Sequence, residues 1–235
     1  MKNTFYIFMF VSLFGFLGAN AQTKTDVWDF GAATLDASTY NNNLTADIIN
    51  AWYPGVTGGT AGKNVPATFT AGILTWTSNL ATSDRLRTSN TALTRYDGGS
   101  GLPATVGTES LTGYLYVNAS AATVRYFTLV LNEDDEVTIY AKSQNGTGKM
   151  NFEYTTDATQ KDIYSLTSNP DIYKYVAKKA GNYKIYDTVD KPFYYRILRK
   201  PATYVTVSGT VDLTNGSDIP AGYTRFSAKV GLDDA

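Results

Sequence analysis

Gly113-Tyr-Leu-Tyr-Val-Asn-Ala-Ser-Ala-Ala-Thr-Val-Arg-Tyr-Phe-Thr-Leu-Val-Leu-Asn-Glu-Asp-Asp-Glu-Val-Thr-Ile-Tyr-Ala-Lys-Ser143 decides the fold. Phe127, Leu129 and Leu131 fall on one side of an extended chain, and Tyr126, Thr128 and Val130 fall on the other. After Glu133-Asp134-Asp135-Glu136 the alternation resumes, with Val137, Ile139 and Ala141 against Thr138, Tyr140 and Lys142. A period of two with one apolar face is the mark of a half-buried strand. Two such runs across a short polar loop predict a β-hairpin with a solvated acidic turn. Tyr114 and Tyr116 mark a preceding strand of the same kind.

Outward from this stretch the pattern repeats. Asp26–Phe30, Gly72–Thr77, Asp84–Thr88, Leu93–Asp97, Lys149–Thr155, Asp171–Lys179, Asn182–Thr188 and Phe193–Lys200 all read as short strands between turn residues. Asn43–Trp52 reads as one or two helical turns, capped by Asn43 or Thr45 and stopped by Pro54. Many short strands and almost no helix predict an all-β chain, an antiparallel β-sandwich of jelly-roll type. Pro201 breaks the series, and Tyr204–Leu213 begins another strand run that extends to the end of the sequence at Ala235. The expected organisation is a signal peptide over 1–21, a sandwich over 22–200, and over 201–235 an incomplete second sandwich or a packed tail.

The first 21 residues carry Lys2, an apolar run from Phe5 to Leu17, and Ala19-Asn20-Ala21. A positive start, a short apolar core and a small-x-small site describe a Sec signal peptide, too short for a comfortable membrane span. The expected product is secreted or held at the cell surface, with no membrane segment after cleavage. A chain of 235 residues with a net charge of −1 and 17% charged residues does not have the basic balance of a nucleic-acid binder.

The sequence has no cysteine and no histidine. The first absence demands a core large enough to fold without disulfides. The second removes Ser-His-Asp and Cys-His catalysis and any imidazole-ligated metal. Carboxylate, Tyr, Lys or Arg chemistry remains, and no pair of carboxylates stands out for glycoside hydrolysis. Clustered carboxylates such as Glu133–Glu136 can bind Ca2+ through oxygen, but this run lacks the ligand spacing and the glycine of an EF-hand loop. No cofactor is expected, Ca2+ being the one open case.

Binding is the more legible theme. The chain has 18 tyrosines against 11 phenylalanines. Flat rings stack on sugar faces, and Trp52, Trp76 and Tyr96 are candidates for this role. Tyr114, Tyr116, Tyr140, Tyr194 and Tyr195 are further available rings, although large aromatics are mostly buried. Arg85, Arg87 and Arg95 form a basic cluster within eleven residues, and a guanidinium matches a carboxylate through two parallel hydrogen bonds. The alternative for these arginines is ordinary ion pairing with Asp84 or Asp97.

Several segments carry a resemblance. Asp84-Arg-Leu-Arg-Thr88, Leu93-Thr-Arg-Tyr-Asp97, Gly113–Asn118, Asn132–Val137, Ala177–Tyr186, Tyr195–Lys200 and Tyr204–Gly209 together resemble the N-terminal non-catalytic region of secreted Bacteroidetes pectin-degrading proteins, pectate lyases and pectinesterases. The resemblance spans most of Trp28–Tyr223 and does not include a catalytic β-helix. It implies a carbohydrate-associated accessory module with no catalytic residue to carry over; the expected partner is a polysaccharide such as pectin, and the expected state is a monomer. Two other readings stand beside it: a structural spacer for a catalytic domain, and a β-sandwich polysaccharide lyase using Tyr with Arg or Lys.

Overall fold

A computed structural model describes residues 23–31, 34–54, 60–61, 63–78, 84–88, 93–95, 104–118 and 124–203. The expected signal peptide and the strand run from Tyr204 lie outside these residues. The described strands are β1 (Thr25–Asp29), β2 (Tyr40–Leu44), β3 (Thr60–Ala61), β4 (Lys63–Asn64), β5 (Thr68–Ala71) and β6 (Leu74–Ser78). They continue as β7 (Arg85–Arg87), β8 (Leu93–Arg95), β9 (Ala104–Val106), β10 (Glu109–Leu111), β11 (Tyr114–Tyr116) and β12 (Arg125–Leu131). The last six are β13 (Glu136–Ser143), β14 (Gly148–Tyr154), β15 (Lys161–Leu166), β16 (Asp171–Val176), β17 (Gly181–Asp187) and β18 (Pro192–Lys200). The helix α1 (Ala46–Ala51) is capped by Thr45, whose side chain accepts from the Ile48 amide.

The chain is all-β and sandwich-like. One sheet has eight strands in the order β16-β13-β18-β11-β7-β4, with β1 and β2 joined through β18. The other has six, in the order β15-β14-β17-β12-β6-β5. Pairing is antiparallel throughout both sheets except between β1 and β2. From β11 onward every consecutive step except β14–β15 crosses from one sheet to the other, which is the jelly-roll habit. Each sheet turns one face inward: Leu74, Trp76, Phe127, Leu129, Phe152 and Ile185 from the six-stranded sheet meet Trp28, Leu115, Val137, Ile139, Tyr194 and Ile197 from the other.

One expectation needs correcting. Arg125–Leu131 and Glu136–Ser143 are strands, but they are not a hairpin. β12 pairs with β17 and β6, whereas β13 pairs with β16 and β18, in the opposite sheet. The acidic turn is therefore an arch between layers. Asp134 takes a positive φ of 65°, an uncommon backbone state for a residue other than glycine. Asp135 is fully buried, so the turn is not simply solvated. Its carboxylate accepts from the Asn132 amide at 2.7 Å, from Arg199 Nε and Nη2 at 2.9 and 2.7 Å, and from the Ala202 amide at 2.9 Å. Arg199 extends this to Asp26 at 3.1 Å, tying the arch to the first and last strands.

Polar ties also close the layers elsewhere. Trp28 Nε1 donates to the Ala71 carbonyl at 2.6 Å, joining β1 of one sheet to β5 of the other. The Asp84 carboxylate accepts from Arg125 Nε at 2.9 Å, Ser78 Oγ at 3.0 Å and the Asn118 amide at 2.9 Å. Both members of the Asp84–Arg125 pair are almost fully buried, so each needs the other: removing one strands a charge away from water. Gly31 and Gly113 cross with their backbones touching, and a Cβ at Gly31 would stand 1.9 Å from the Gly113 nitrogen. Only glycine fits at such a crossing.

Candidate functional site

The outer faces of the two sheets differ in what covers them. On the eight-stranded sheet, register places Arg85, Tyr116, Phe193 and Lys142 in one row across β7, β11, β18 and β13. Arg87 and Tyr114 stand side by side in the neighbouring row. β18 carries a bulge here, so Tyr195 and Arg196 both point outward. The hairpin β9–β10 lies over this face, and Val106 and Leu111 close a second small core on Tyr114, Tyr116, Tyr140, Phe193 and Tyr195. Glu109 of the hairpin pairs with Arg196 Nη1, and Asp29 pairs with Arg196 Nε. The guanidinium sits 5.5 Å from the Tyr140 ring centroid.

The five further tyrosines that the sequence offers for stacking are therefore sealed. Tyr114, Tyr116, Tyr140 and Tyr195 are buried beneath the hairpin, and Tyr194 points into the main core. Burial pushes the Tyr194 phenol well above its ordinary pKa, helped by the nearby Asp187 charge.

Four of the six expected site residues, Trp52, Trp76, Arg85 and Arg87, have described side chains. Trp76 is 1% exposed and packs on Phe127 at 4.9 Å, so its ring belongs to the core and has no face to offer a ligand. Trp52 is half-buried just beyond α1 and packs on Phe69 at 5.0 Å. Arg85 and Arg87 do share one face of β7 and are half-buried, with Arg85 Nη1 donating to the Asp84 carbonyl at 3.2 Å. Arg95 ends β8, and Tyr96 lies outside the described residues.

The outer face of the six-stranded sheet has no roof among the described residues. Successive side chains along its strands point to opposite faces, but the outward set is not uniformly exposed: Asn151 is 2% and Tyr186 6% exposed. One row runs Lys161, Glu153, Lys184, Thr128, Thr75 and Thr70 across all six strands, roughly 24 Å at ordinary strand spacing. The adjacent row includes Ile163, Asn151 and Tyr186 on one side and Tyr126, Thr77 and Thr68 on the other. Tyr126 falls one residue before the Phe127–Ile185 pair, beside Tyr186.

Where these rows meet, Lys184 Nζ stands 4.0 Å from the Tyr126 ring centroid and 5.8 Å from that of Tyr186. Such cation–π contacts hold a cation over an aromatic face. Tyr186 is 6% exposed, and its hydroxyl donates to Glu153 Oε2 at 2.6 Å. Burial, with that hydrogen bond, pushes the phenol up to about 12. Tyr126 is the half-exposed ring of the pair. The outward residues of these strands include Lys149, Lys161 and Lys184 against a single acid, Glu153. The face thus combines an accessible ring, a movable cation above it, and hydroxyl groups on three neighbouring strands.

Sequence reasoning missed this constellation. Alternation alone puts Tyr126 opposite the core, but Lys184 and Tyr186 join it only through the pairing of β12 with β17. Among the described residues no group of three or more His, Cys, Asp or Glu side chains is placed to hold a metal ion.

No protein-family model matches the chain, and no curated protein sequence matches it. Solved structures with a similar course do exist. One comes from work on the Ruminococcus flavefaciens cellulosome and its expansion in glycan recognition. It is 14% identical, covers 63% of this chain and 97% of its own, and has a TM-score of 0.35. The apo form of BiXyn10A CBM1 is 12% identical over 38% of this chain and 74% of its own, with a TM-score of 0.29. The CBM22-1–GH10 modules of Clostridium thermocellum xylanase 10B, complexed with xylohexaose, are 15% identical over 42% of this chain and 23% of their own, at 0.25. These partial overlaps carry no functional weight by themselves, and the reading of this chain rests on its own surface.

Proposed function

We propose that the chain is a non-catalytic β-sandwich module that binds a polysaccharide on the open outer face of its six-stranded sheet. The observation that carries this is the Tyr126–Lys184–Tyr186 group on a sheet face that no described element covers, with Thr75, Thr77 and Thr128 beside it. A sugar presents an apolar C–H face to a ring and hydroxyl groups around its rim. Tyr126 supplies the ring, and the threonines and Glu153 supply hydrogen-bond partners for the rim. Lys184 occupies the position over Tyr126 that a sugar would take, and its flexible stem lets the ammonium swing aside and meet the ligand's polar edge.

The polymer class is an acidic one, a pectic uronate. Three lysines against one carboxylate on this face favour a ligand with a carboxylate on each sugar, and the resemblance to accessory regions of pectin-degrading proteins points the same way. Export through the N-terminal Sec signal belongs to the same proposal, since such a polymer lies outside the cell.

Affinity electrophoresis tests the reading. Homogalacturonan in the gel should retard the protein, and Tyr126→Ala should abolish the retardation while leaving the unfolding midpoint nearly unchanged. Lys184→Ala discriminates the ligand class. It weakens binding of a uronate, which loses its counter-charge, and strengthens binding of a neutral glycan, which gains the uncovered ring. Absence of retardation by any acidic or neutral polysaccharide would overturn the proposal.

A further inference from the structure

The roofed face carries a lysine that has an aromatic ring beside it and no acid paired with it among the described residues. Lys142 stands on the outer side of β13, half-buried, with its Nζ 5.1 Å from the Phe193 ring centroid. No carboxylate is paired with it among the described residues. By contrast, the more deeply buried Arg125, Arg196 and Arg199 each hold one or two acids. A partly desolvated ammonium without a counter-charge is costly, and burial accordingly lowers the Lys142 pKa.

Two amides stand near the same row. Tyr116, in the same row as Lys142, places its hydroxyl 2.9 Å from Asn118 Oδ1 and 2.8 Å from Gln144 Oε1. One hydroxyl hydrogen serves one acceptor, so only one of these two contacts is made as drawn. The other amide meets the phenolic oxygen with its NH2 group or turns outward. Asn118 and Gln144 lie one step from Tyr116 and Lys142 toward the strand ends, and both are half-buried. Arg85 closes the row on the far side of Tyr116.

We infer that Lys142, Gln144 and Asn118 form a second binding site, for the carboxylate and neighbouring hydroxyls of a single uronic-acid residue. Lys142 supplies the charge for the carboxylate. The two amides donate to and accept from the hydroxyls beside it, and the Tyr116 hydroxyl holds them in place. Phe193 and Tyr116 are fully buried and form the floor rather than a stacking surface. The site is on the opposite sheet from Tyr126 and shares only its ligand class with the function proposed above.

Titration of the ¹⁵N-labelled full chain with free galacturonate, galactose and sulfate tests this. Galacturonate should shift the side-chain amide resonances of Asn118 and Gln144 saturably, while galactose and sulfate should not. Lys142→Met should weaken the galacturonate response at least tenfold, and Lys142→Arg should retain most of it. Tyr126→Ala should leave it intact, which separates this site from the open face: polymer retardation can fail while the amide shifts persist, or the reverse. Equal shifts with galacturonate and sulfate would show an unspecific anion site and overturn the inference. So would an unchanged response in Lys142→Met, or no shift with galacturonate in a folded protein.

Discussion

The two outer faces start from the same ingredients and end differently. Both carry tyrosines at alternate positions and lysine or arginine beside them. On the eight-stranded sheet a hairpin of eight residues, Ala104–Leu111, converts those tyrosines into a second core. On the six-stranded sheet no described element does so, and Tyr126 and Lys184 stay half-exposed beside the buried Tyr186. Composition therefore does not assign a tyrosine to binding or to packing; whatever is laid over the sheet does.

The comparison breaks most visibly at Arg196. Asp29→Ala should cost about 3–5 kcal/mol in urea unfolding, because it leaves a buried guanidinium short of a partner and frees the Gly31 amide that Asp29 also accepts. Phe193→Ala, in the floor of the roofed face, should cost a similar 3–5 kcal/mol. Tyr126→Ala, on the open face, should stay within about 0.5 kcal/mol while abolishing polymer retardation. If Phe193→Ala proves as mild as Tyr126→Ala, the hairpin is not a roof and the distinction fails.

A smaller effect sharpens the contrast between strands that bury polar groups and strands that show them. Asp187, on β17 with Lys184 and Tyr186, points inward, and its Oδ1 accepts from the Val189 and Asp190 amides at 2.7 Å each. Its Oδ2 is buried without a partner. Burial raises its pKa, so the folded chain holds that proton at pH values where the unfolded chain has released it. Stability then falls as pH rises from the ordinary carboxylate range through the raised value. Asp187→Asn keeps the Oδ1 contacts and removes the charge. It should raise Tm by a few degrees at pH 7, and the gain should vanish near pH 3, where the wild-type carboxyl is neutral as well. A gain equal at both pH values would mean that charge burial is not the cause.

Much of the fold was legible because alternation reports faces. The inward set Phe127, Leu129, Leu131, Val137, Ile139 and Ala141 is the core set, and Thr45 is the helix cap. Pairing was not legible. A period of two says which side a residue faces and nothing about which strand lies beside it, so an arch read as a hairpin. Asp135 looked solvated for the same reason: its guanidinium partner is 64 residues away. Trp76 needs its neighbours Phe127 and Leu74 to show that it is interior. Lys184 gave no local signal at all, since its meaning comes from Tyr126 on another strand.

The central place of β18 has a kinetic side. This strand pairs with β1, β11 and β13, and its Arg196 and Arg199 satisfy Asp29 and Asp26 across separations of 167 and 173 residues. Contacts that distant are slow to form, because the intervening chain must close first. A chain that appears from its N-terminus keeps Trp28, Phe30 and Leu115 without their β18 partners Ile197, Tyr195 and Tyr194 until residues 192–200 have emerged. Folding of this sandwich is thus gated by its last strand, and a chain cut before Pro192 should collapse without locking, however complete its six-stranded sheet.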